Sequence, residues 1–548
     1  MIAAASCGER LVELLEAYGI DTVFGIPGNH TVALYRGLAG SRIRHISPRH
    51  EQGAAFMADG FARACGRPAA CFLITGPGLA NALTPIMQAL ADSIPMLVIT
   101  AVGARSHLGH GEGRLHELPD QQALAAQCTR FSHTLLDPDD LPRVLARAFA
   151  VFDGERPGPV HIEIPTDLIS APARPATPWP RVTPPCASPA ALDELAGRLL
   201  SAQRPTLLLG GGAIDAADAL RAVAELSAAA VVTTTNGKGL LPPGHPLLVG
   251  GSPSLASVRD ELARSDVVLA VGTEFGETDY DMLFLDEPLE TGWLARLDID
   301  ARQLGRNQIA DLPLCGAARE SASELKRRLV EKLEHSSVAK DRELAAERVR
   351  ALREAIAAEV HVHPDMQRFF ATVQASLPGL CLVGDSCLPT YYAVWQYEAP
   401  APRCYFHSAT GAGTLGYAIP AAIGARRALP SGTPVVALIG DGAAQFTLTE
   451  LAAAVQESLP IIVIVWNNAG YGEIRNGMRA TGLEPLGVEI QAPDFVAAAT
   501  ALGCHGARVK SLEALAEALR EARDRAQPTL LELPEASFVA SPVGGWYG

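Results

Sequence analysis

Short apolar runs alternate with helix-length segments along the whole chain, and this alternation limits the fold more than any other feature. Asp21 to Phe24, Ala70 to Ile74, Met96 to Thr100, Thr206 to Leu209, Val267 to Val271, Val435 to Ile439 and Ile461 to Trp466 are too short for buried helices and read as strands. Strands spaced in this way pair in parallel, with crossover helices on both sheet faces. At 548 residues the chain is too long for one core, so an α/β fold of several doubly wound parallel-sheet domains is expected. Proline supplies the cuts: Ala173 to Pro189 holds six prolines and can carry neither a helix nor a central strand. A second cut falls at Leu325 to Val360, where Lys, Arg, Glu and Ala recur at helical spacing until His361-Val-His363-Pro364 stops the pattern. The expected domains are 1–172, 190–335 and 360–548.

Composition excludes several classes. The net charge of −15 is relieved by no long basic stretch, which argues against nucleic acid as a partner. The apolar run Pro460 to Trp466 falls far short of the ~20 residues a membrane helix needs. Glu9, Arg10, Glu13 and Glu16 give the N-terminal segment an amphipathic pattern, not an export signal. The ten cysteines are scattered without a Cys-x-x-Cys pair, as expected of reduced thiols in a cytoplasmic protein.

Two turns carry the chemistry. Gly440-Asp441-Gly442 follows one predicted strand and Asn467-Asn468 follows the next. A carboxylate and a carboxamide are hard oxygen ligands suited to Mg²⁺ beside a diphosphate, and the Gly470 carbonyl is a third candidate ligand. Glycine on both sides of Asp441 brings backbone amides close to a phosphate. Each motif alone is commonly a turn or a helix cap; together, each after a strand, they point to a metal-diphosphate site. Phe24-Gly25-Ile-Pro27-Gly28 is a similar turn in the first domain. Ligands bind at the carboxyl ends of such strands, so two domains are able to face one cofactor.

The stretch from Gly440 to Asn468 resembles the cofactor motif of thiamine diphosphate (ThDP) enzymes. The resemblance extends along essentially the entire chain to the acetolactate synthase and 2-oxo acid decarboxylase group, and in pattern most to decarboxylases of 5-guanidino-2-oxopentanoate. It implies pyrimidine-binding, central and diphosphate-binding domains, with ThDP and Mg²⁺ as cofactors. Glu51, in Pro48-Arg49-His50-Glu51-Gln52, matches the glutamate that hydrogen-bonds the aminopyrimidine and starts removal of the C2 proton; a carboxyl withdrawn from water suits such a relay. The implied cofactor contacts are Pro27, Gly28, Thr75, Asn81, Gly384, Asp385, Ser386, Gly413, Leu415, Gly440, Asp441, Gly442, Ala443, Asn468, Gly470, Tyr471 and Gly472. Among these, the Gly413 carbonyl would accept from the 4′-amino group and Leu415 would wedge the cofactor into its bent form.

Pocket residues separate this chain from the standard synthases. Asn29 and His30 follow Gly28, a stretch that resembles benzaldehyde lyase in carrying a histidine, and both are candidate catalytic groups. Glu112 to Gln121, with His116, Glu117 and Gln121, stands where the synthases have a phenylalanine-glutamine patch. Glu473 and Ile474 follow Asn468 without the synthases' tryptophan, and their acceptor-binding arginine is missing from Gly272 to Asp281. Glu277, Asp279 and Asp281 form either a solvated loop or a partner for a cationic substrate end. In the central domain, Gly210-Gly211-Gly212 and Asp298-Ile-Asp300 resemble the fold that holds FAD in the synthases, and ADP or nothing in other relatives; FAD is in doubt. The expected activity is decarboxylation of a 2-oxo acid through a C2 carbanion. The alternatives are a carboligase that forms acetolactate or another acyloin, and a cofactor-binding scaffold with a dead site. The resemblance further implies a homodimer or homotetramer with sites between subunits, and Ser541 to Gly548 as a segment that either covers the cleft or packs.

Overall fold

The structure is a computed structural model and describes residues 5–280, 289–335, 340–360 and 364–539. Asp281 and the segment Ser541 to Gly548 lie outside the described residues. Three parallel sheets form, as the alternating pattern predicts. The first contains β1 (Thr22–Gly25), β2 (Arg44–Ile46), β3 (Ala69–Leu73), β4 (Met96–Val102), β5 (Phe131–Thr134) and β6 (Pro159–Pro165). The second contains β7 (Pro205–Leu209), β8 (Ala230–Thr233), β9 (Val267–Val271), β10 (Trp293–Asp298) and β11 (Leu312–Cys315). The third contains β12 (Cys381–Gly384), β13 (Tyr405–His407), β14 (Val435–Gly440), β15 (Ile462–Asn467), β16 (His505–Arg508) and β17 (Thr529–Pro534).

The strand orders are β2-β1-β3-β4-β6-β5, β11-β10-β9-β7-β8 and β13-β12-β14-β15-β17-β16. In each sheet the winding reverses between the first and third strands of its own domain. A crevice therefore opens at the carboxyl ends of β1 and β3, of β7 and β9, and of β12 and β14. The first and third sheets share one order throughout.

Those two sheets are joined by a close helix crossing. Glu51–Cys65 is almost wholly buried from Gly53 onward and lies against Ala418–Ala428, also buried along most of its length. Gly60 and Gly424 make the contact possible: a β-carbon on Gly60 would stand 2.0 Å from the Ala421 carbonyl oxygen, and one on Gly424 would stand 1.9 Å from that of Met57. The apolar core around the crossing is continuous across both domains. A buried ionic cluster lies within it, where Arg63 Nε donates to Asp59 Oδ1 at 2.6 Å, Arg63 Nη2 to Asp92 Oδ2 at 2.7 Å, and Tyr417 Oη to Asp59 Oδ1 at 2.5 Å. Charges so deeply buried persist only when paired and hydrogen-bonded.

Candidate active site

At the crevice of the third sheet, three helices begin at one cavity. Asp441–Thr447 follows β14, Leu388–Gln396 follows β12, and Gly472–Ala480 follows β15. The cavity measures about 470 Å³, and its wall includes Ser386, Cys387, Leu388, Gly413, Leu415, Gly440, Asp441, Gly442, Ala443, Asn468, Gly470, Tyr471, Gly472, Glu473 and Ile474. Helix N-termini present free amides and positive dipole ends, so their convergence favours an anion such as a diphosphate.

The floor of the cavity is oxygen-rich. Asp441 is 1% exposed, and its Oδ2 accepts from the Gly470 amide at 2.9 Å while Oδ1 accepts from the Asn468 amide at 3.3 Å. Burial pushes the Asp441 carboxyl above its usual range, and these amides offset part of the rise. The Asn468 amide oxygen stands 3.2 Å from Asp441 Oδ1 and 2.9 Å from the Gly470 carbonyl oxygen. With a nitrogen there the amide would donate to both; with oxygen there, three oxygens converge in the manner a divalent cation requires. Among the described residues no cluster of three His, Cys, Asp or Glu side chains could hold a metal, so a cation here would rely on this mixed set. Gly470 has to be glycine: its φ is 144°, and a β-carbon would lie 2.2 Å from the Val488 carbonyl oxygen. Asn467 turns the other way, donating to Glu532 Oε1 at 2.8 Å.

The loop after β12 departs from expectation. Gly384 and Asp385 do not line the cavity. Asp385 is fully buried and turned from it, accepting from the amides of Ala418 at 2.9 Å, Ser386 at 3.0 Å and Gly416 at 3.3 Å. Burial pushes its carboxyl up to about 7 against those bonds. Its structural task is to hold Gly416 and the start of Ala418–Ala428, and Ser386 is the residue of this turn that reaches the cavity.

Among the described residues, none of the first domain lines this cavity. Pro27, Gly28, Asn29 and His30 follow β1, and Thr75 follows β3, around a crevice of their own. Glu51 is partly exposed in the single chain, not buried, and its Oε2 accepts from Asn81 Nδ2 at 2.9 Å. Thr75 Oγ1 is buried without a partner. The His30 and His116 rings meet edge to face at 5.5 Å, and the Nδ1 atoms of both are buried without hydrogen bonds. Burial, then the neighbouring His116, lowers the His30 pKa below its usual value. Asn29 is exposed.

Two residues expected at the substrate have other partners. Gln121 is buried; its Oε1 accepts from the Gly76 amide at 2.8 Å, and Nε2 donates to Ala101 O at 2.9 Å and Glu163 Oε2 at 3.0 Å. The Glu117 carboxylate accepts from the amides of Arg114 at 2.9 Å and Gly111 at 3.0 Å. The first pins the turn after β3 and the second closes its own loop, so both carboxyl and amide are committed. Asp279 is likewise engaged, accepting from the Thr235 amide at 3.0 Å, and burial pushes it up to about 6. Glu277 is exposed.

Sequence reasoning missed the central domain's share. Thr235 and Thr278 reach the cavity wall from short helical turns after β8 and β9, and His407 of the third domain reaches it from the end of β13. His407 is buried with Nε2 unpartnered, and burial lowers it to about 3. Only tertiary packing brings these residues there.

Three family models cover most of the chain. They are the N-terminal TPP binding domain, central domain and C-terminal TPP binding domain of thiamine pyrophosphate enzymes, at residues 5–124, 192–325 and 386–533. The chain belongs to the thiamine pyrophosphate enzyme family. Within this family it is 44% identical over 541 residues to the probable 2-ketoarginine decarboxylase AruI of Pseudomonas aeruginosa, covering 97% of this chain and 94% of that protein. It is 32% identical to the acetolactate synthase large subunit IlvB1 of Mycobacterium tuberculosis, covering 94% of this chain and 85% of that one. The probable acetolactate synthase large subunit of Methanocaldococcus jannaschii is 29% identical, covering 98% and 93% respectively. The chain is thus a ThDP-dependent enzyme of the 2-oxo acid decarboxylase and carboligase group.

Proposed function

We propose that this thiamine pyrophosphate enzyme decarboxylates a 2-oxo acid with a cationic side chain, of the 5-guanidino-2-oxopentanoate type, using Mg²⁺. The carrying observation is Glu473: beside the proposed Mg²⁺ ligand Asp441 it is the one further carboxylate among the described residues of the cavity lining, which holds no lysine or arginine. Such a lining favours a cation over a neutral chain of equal length. The similarity to a probable 2-ketoarginine decarboxylase supports the same substrate class. Asp441, Asn468 and the Gly470 carbonyl would hold Mg²⁺, and the amides that open the three helices would hold the diphosphate. Bound ThDP would supply the nucleophilic carbon and the electron sink for loss of CO₂. Glu51 would hold the proton at the aminopyrimidine N1′, Leu415 would support the ring, and Glu473 with Ile474 would orient the substrate's far end. The His30 and His116 pair would serve proton transfer at the reacting carbon, with the His30 imidazole held below its usual pKa by burial.

Glu51 and the Asp441 cavity lie at separate crevices of one chain, and exposed apolar side chains flank both: Val32 and Leu115 by the first, Phe446 and Ile474 by the second. A homodimer, or a tetramer of two such dimers, would bury these groups and join Glu51 of one protomer to Asp441 of another. The ten cysteines are all free, which fits a reducing compartment such as the cytoplasm. We propose no flavin for the central crevice, because carboxylates outnumber arginines in its lining and would oppose a dinucleotide's diphosphate.

Turnover of 5-guanidino-2-oxopentanoate, pyruvate, benzoylformate and branched-chain 2-oxo acids, with CO₂, aldehyde and acetolactate followed separately, tests the reading. The guanidino substrate should have the highest kcat/KM and yield the aldehyde. The similarity to acetolactate synthases supports a second reading, a carboligase. Acetolactate as the main product from pyruvate would establish that second reading and refute the first.

A further inference from the structure

The residue that fixes Glu51 in space comes from the opposite domain. After Asp441–Thr447 the chain makes a single tight turn, Leu448–Glu450, that delivers Glu450 to the first domain. Glu450 is 1% exposed. Its carboxylate accepts from the amide of Arg49 at 3.0 and 3.1 Å and from the amide of His50 at 3.0 Å. These are the two amides immediately before Glu51, which is the first residue of its helix. Four amides at a helix start lack internal partners, and a carboxylate placed against that end is the strongest acceptor available to it.

The surroundings are shaped to admit this carboxylate. A β-carbon at Gly53 would lie 2.3 Å from Glu450 Oε1, so the bare backbone there makes room for the contact. Arg49 adds a second tie, its Nη2 donating to Gln456 Oε1 at 2.8 Å and to the Ala452 carbonyl at 3.2 Å. His50 Nδ1 caps the same turn by accepting from the Gln52 amide at 3.1 Å. The backbone on the N-terminal side of Glu51 is therefore clamped by the third domain, and the side chain of Glu51 is left with Asn81 as its own partner.

We propose that Glu450 is a positioning residue for the Glu51 proton relay: through the amides of Arg49 and His50 it sets where the Glu51 carboxylate stands. This rests on the proposed role of Glu51. An error of about 1 Å in a reacting group is enough to cost about 10²-fold in rate, whereas the proposed diphosphate contacts at the Asp441 cavity do not include the amides of Arg49 and His50.

The test compares Glu51→Gln, Glu450→Ala and Glu450→Gln by three measurements. They are hydrogen–deuterium exchange at C2 of bound ThDP after acid quench, ThDP affinity from fluorescence of Trp466 in the cavity wall, and amide exchange of the segment 47–53 in the cofactor-free protein. Glu51→Gln is expected to abolish C2 exchange. Glu450→Ala should slow C2 exchange by about 10²-fold, change ThDP affinity less than about threefold, and speed amide exchange at Arg49 and His50. Glu450→Gln, which keeps one acceptor, should recover part of both rates, and it carries the test if the alanine variant does not fold. Parental C2 exchange in Glu450→Ala, or a loss of ThDP affinity in step with the loss of exchange, overturns the positioning role while leaving that of Glu51 intact. Parental C2 exchange in Glu51→Gln overturns the relay itself, and Glu450 with it.

Discussion

Asp441 organises its own site before any ligand arrives, because its two oxygens already accept from the amides of Asn468 and Gly470. Asp441→Ala should therefore disturb both the proposed Mg²⁺ site and the loop that carries its other proposed ligands; Mg²⁺-dependent binding of ThDP, followed by Trp466 fluorescence, should weaken by about 10²-fold. Glu473→Gln tests the substrate instead. Removing a charged hydrogen-bond acceptor, worth about 1.5–3 kcal/mol, should lower kcat/KM for the guanidino 2-oxo acid by about 10- to 150-fold and leave a neutral 2-oxo acid of similar length nearly unaffected. Asp385 gives a pH prediction. Its folded pKa is raised to about 7 from an ordinary carboxyl value, so between about pH 4 and 7 the folded state binds more protons than the unfolded state, and stability falls as pH rises. Asp385→Asn should therefore gain thermal stability relative to the parent as pH rises through that window, with the difference level above it. At this scale the sequence indicated which residues meet at one cavity better than what each of them touches. Asp441, Asn468 and Gly470 were legible because adjacent strand ends in a parallel sheet converge. The inward turn of Asp385 and the committed amide of Gln121 were not, because their partners are backbone groups of distant segments.

The element that most constrains the pairing of the first and third domains is the crossing of Glu51–Cys65 with Ala418–Ala428. A methyl group on either central glycine would overlap a backbone carbonyl, and backbone yields less readily than side chains. Gly60→Ala and Gly424→Ala should each cost about 1–3 kcal/mol or more, read as a fall in the midpoint of chemical unfolding, and the double variant should cost less than the two together once the helices have separated. A neighbouring brace runs the other way: Gln88, in Pro77–Ala91, donates to the Thr410 carbonyl at 3.0 Å and accepts from Thr414 Oγ1 at 2.9 Å, so the first domain supports the loop that carries Gly413. The strands that the apolar runs revealed are mainly the interior ones. β6 was hidden by His161 and Glu163, which break an apolar run; both are buried and satisfied, His161 by Thr100 and Ser132, Glu163 by Thr134 and Gln121. Edge strands such as β2 and β13 are three residues long, too short for any periodicity to register.

At the scale of the whole molecule, the separation of Glu51 from the Asp441 cavity makes assembly testable by complementation. Glu51→Gln and Asp441→Ala homo-oligomers should each be inactive. Mixed and refolded together, they should recover activity, because one of the two sites in a mixed dimer then draws an intact Glu51 from one protomer and an intact Asp441 from the other. Silence in the mixture, with mixed dimers demonstrated by mass, would place both residues in one chain's site. The shared strand order of the first and third sheets carries a further consequence. Gly60 meets Ala421 as Gly424 meets Met57, with the same spacing in each helix, which is the reciprocal pattern of an isologous contact between two copies of one protein. A pseudo-two-fold axis thus passes through the crossing, and Leu415 precedes Gly424 by as many residues as Glu51 precedes Gly60. The matched positions differ in chemistry: in the function proposed above, the carboxylate of Glu51 would move a proton where the aliphatic side chain of Leu415 would support a ring.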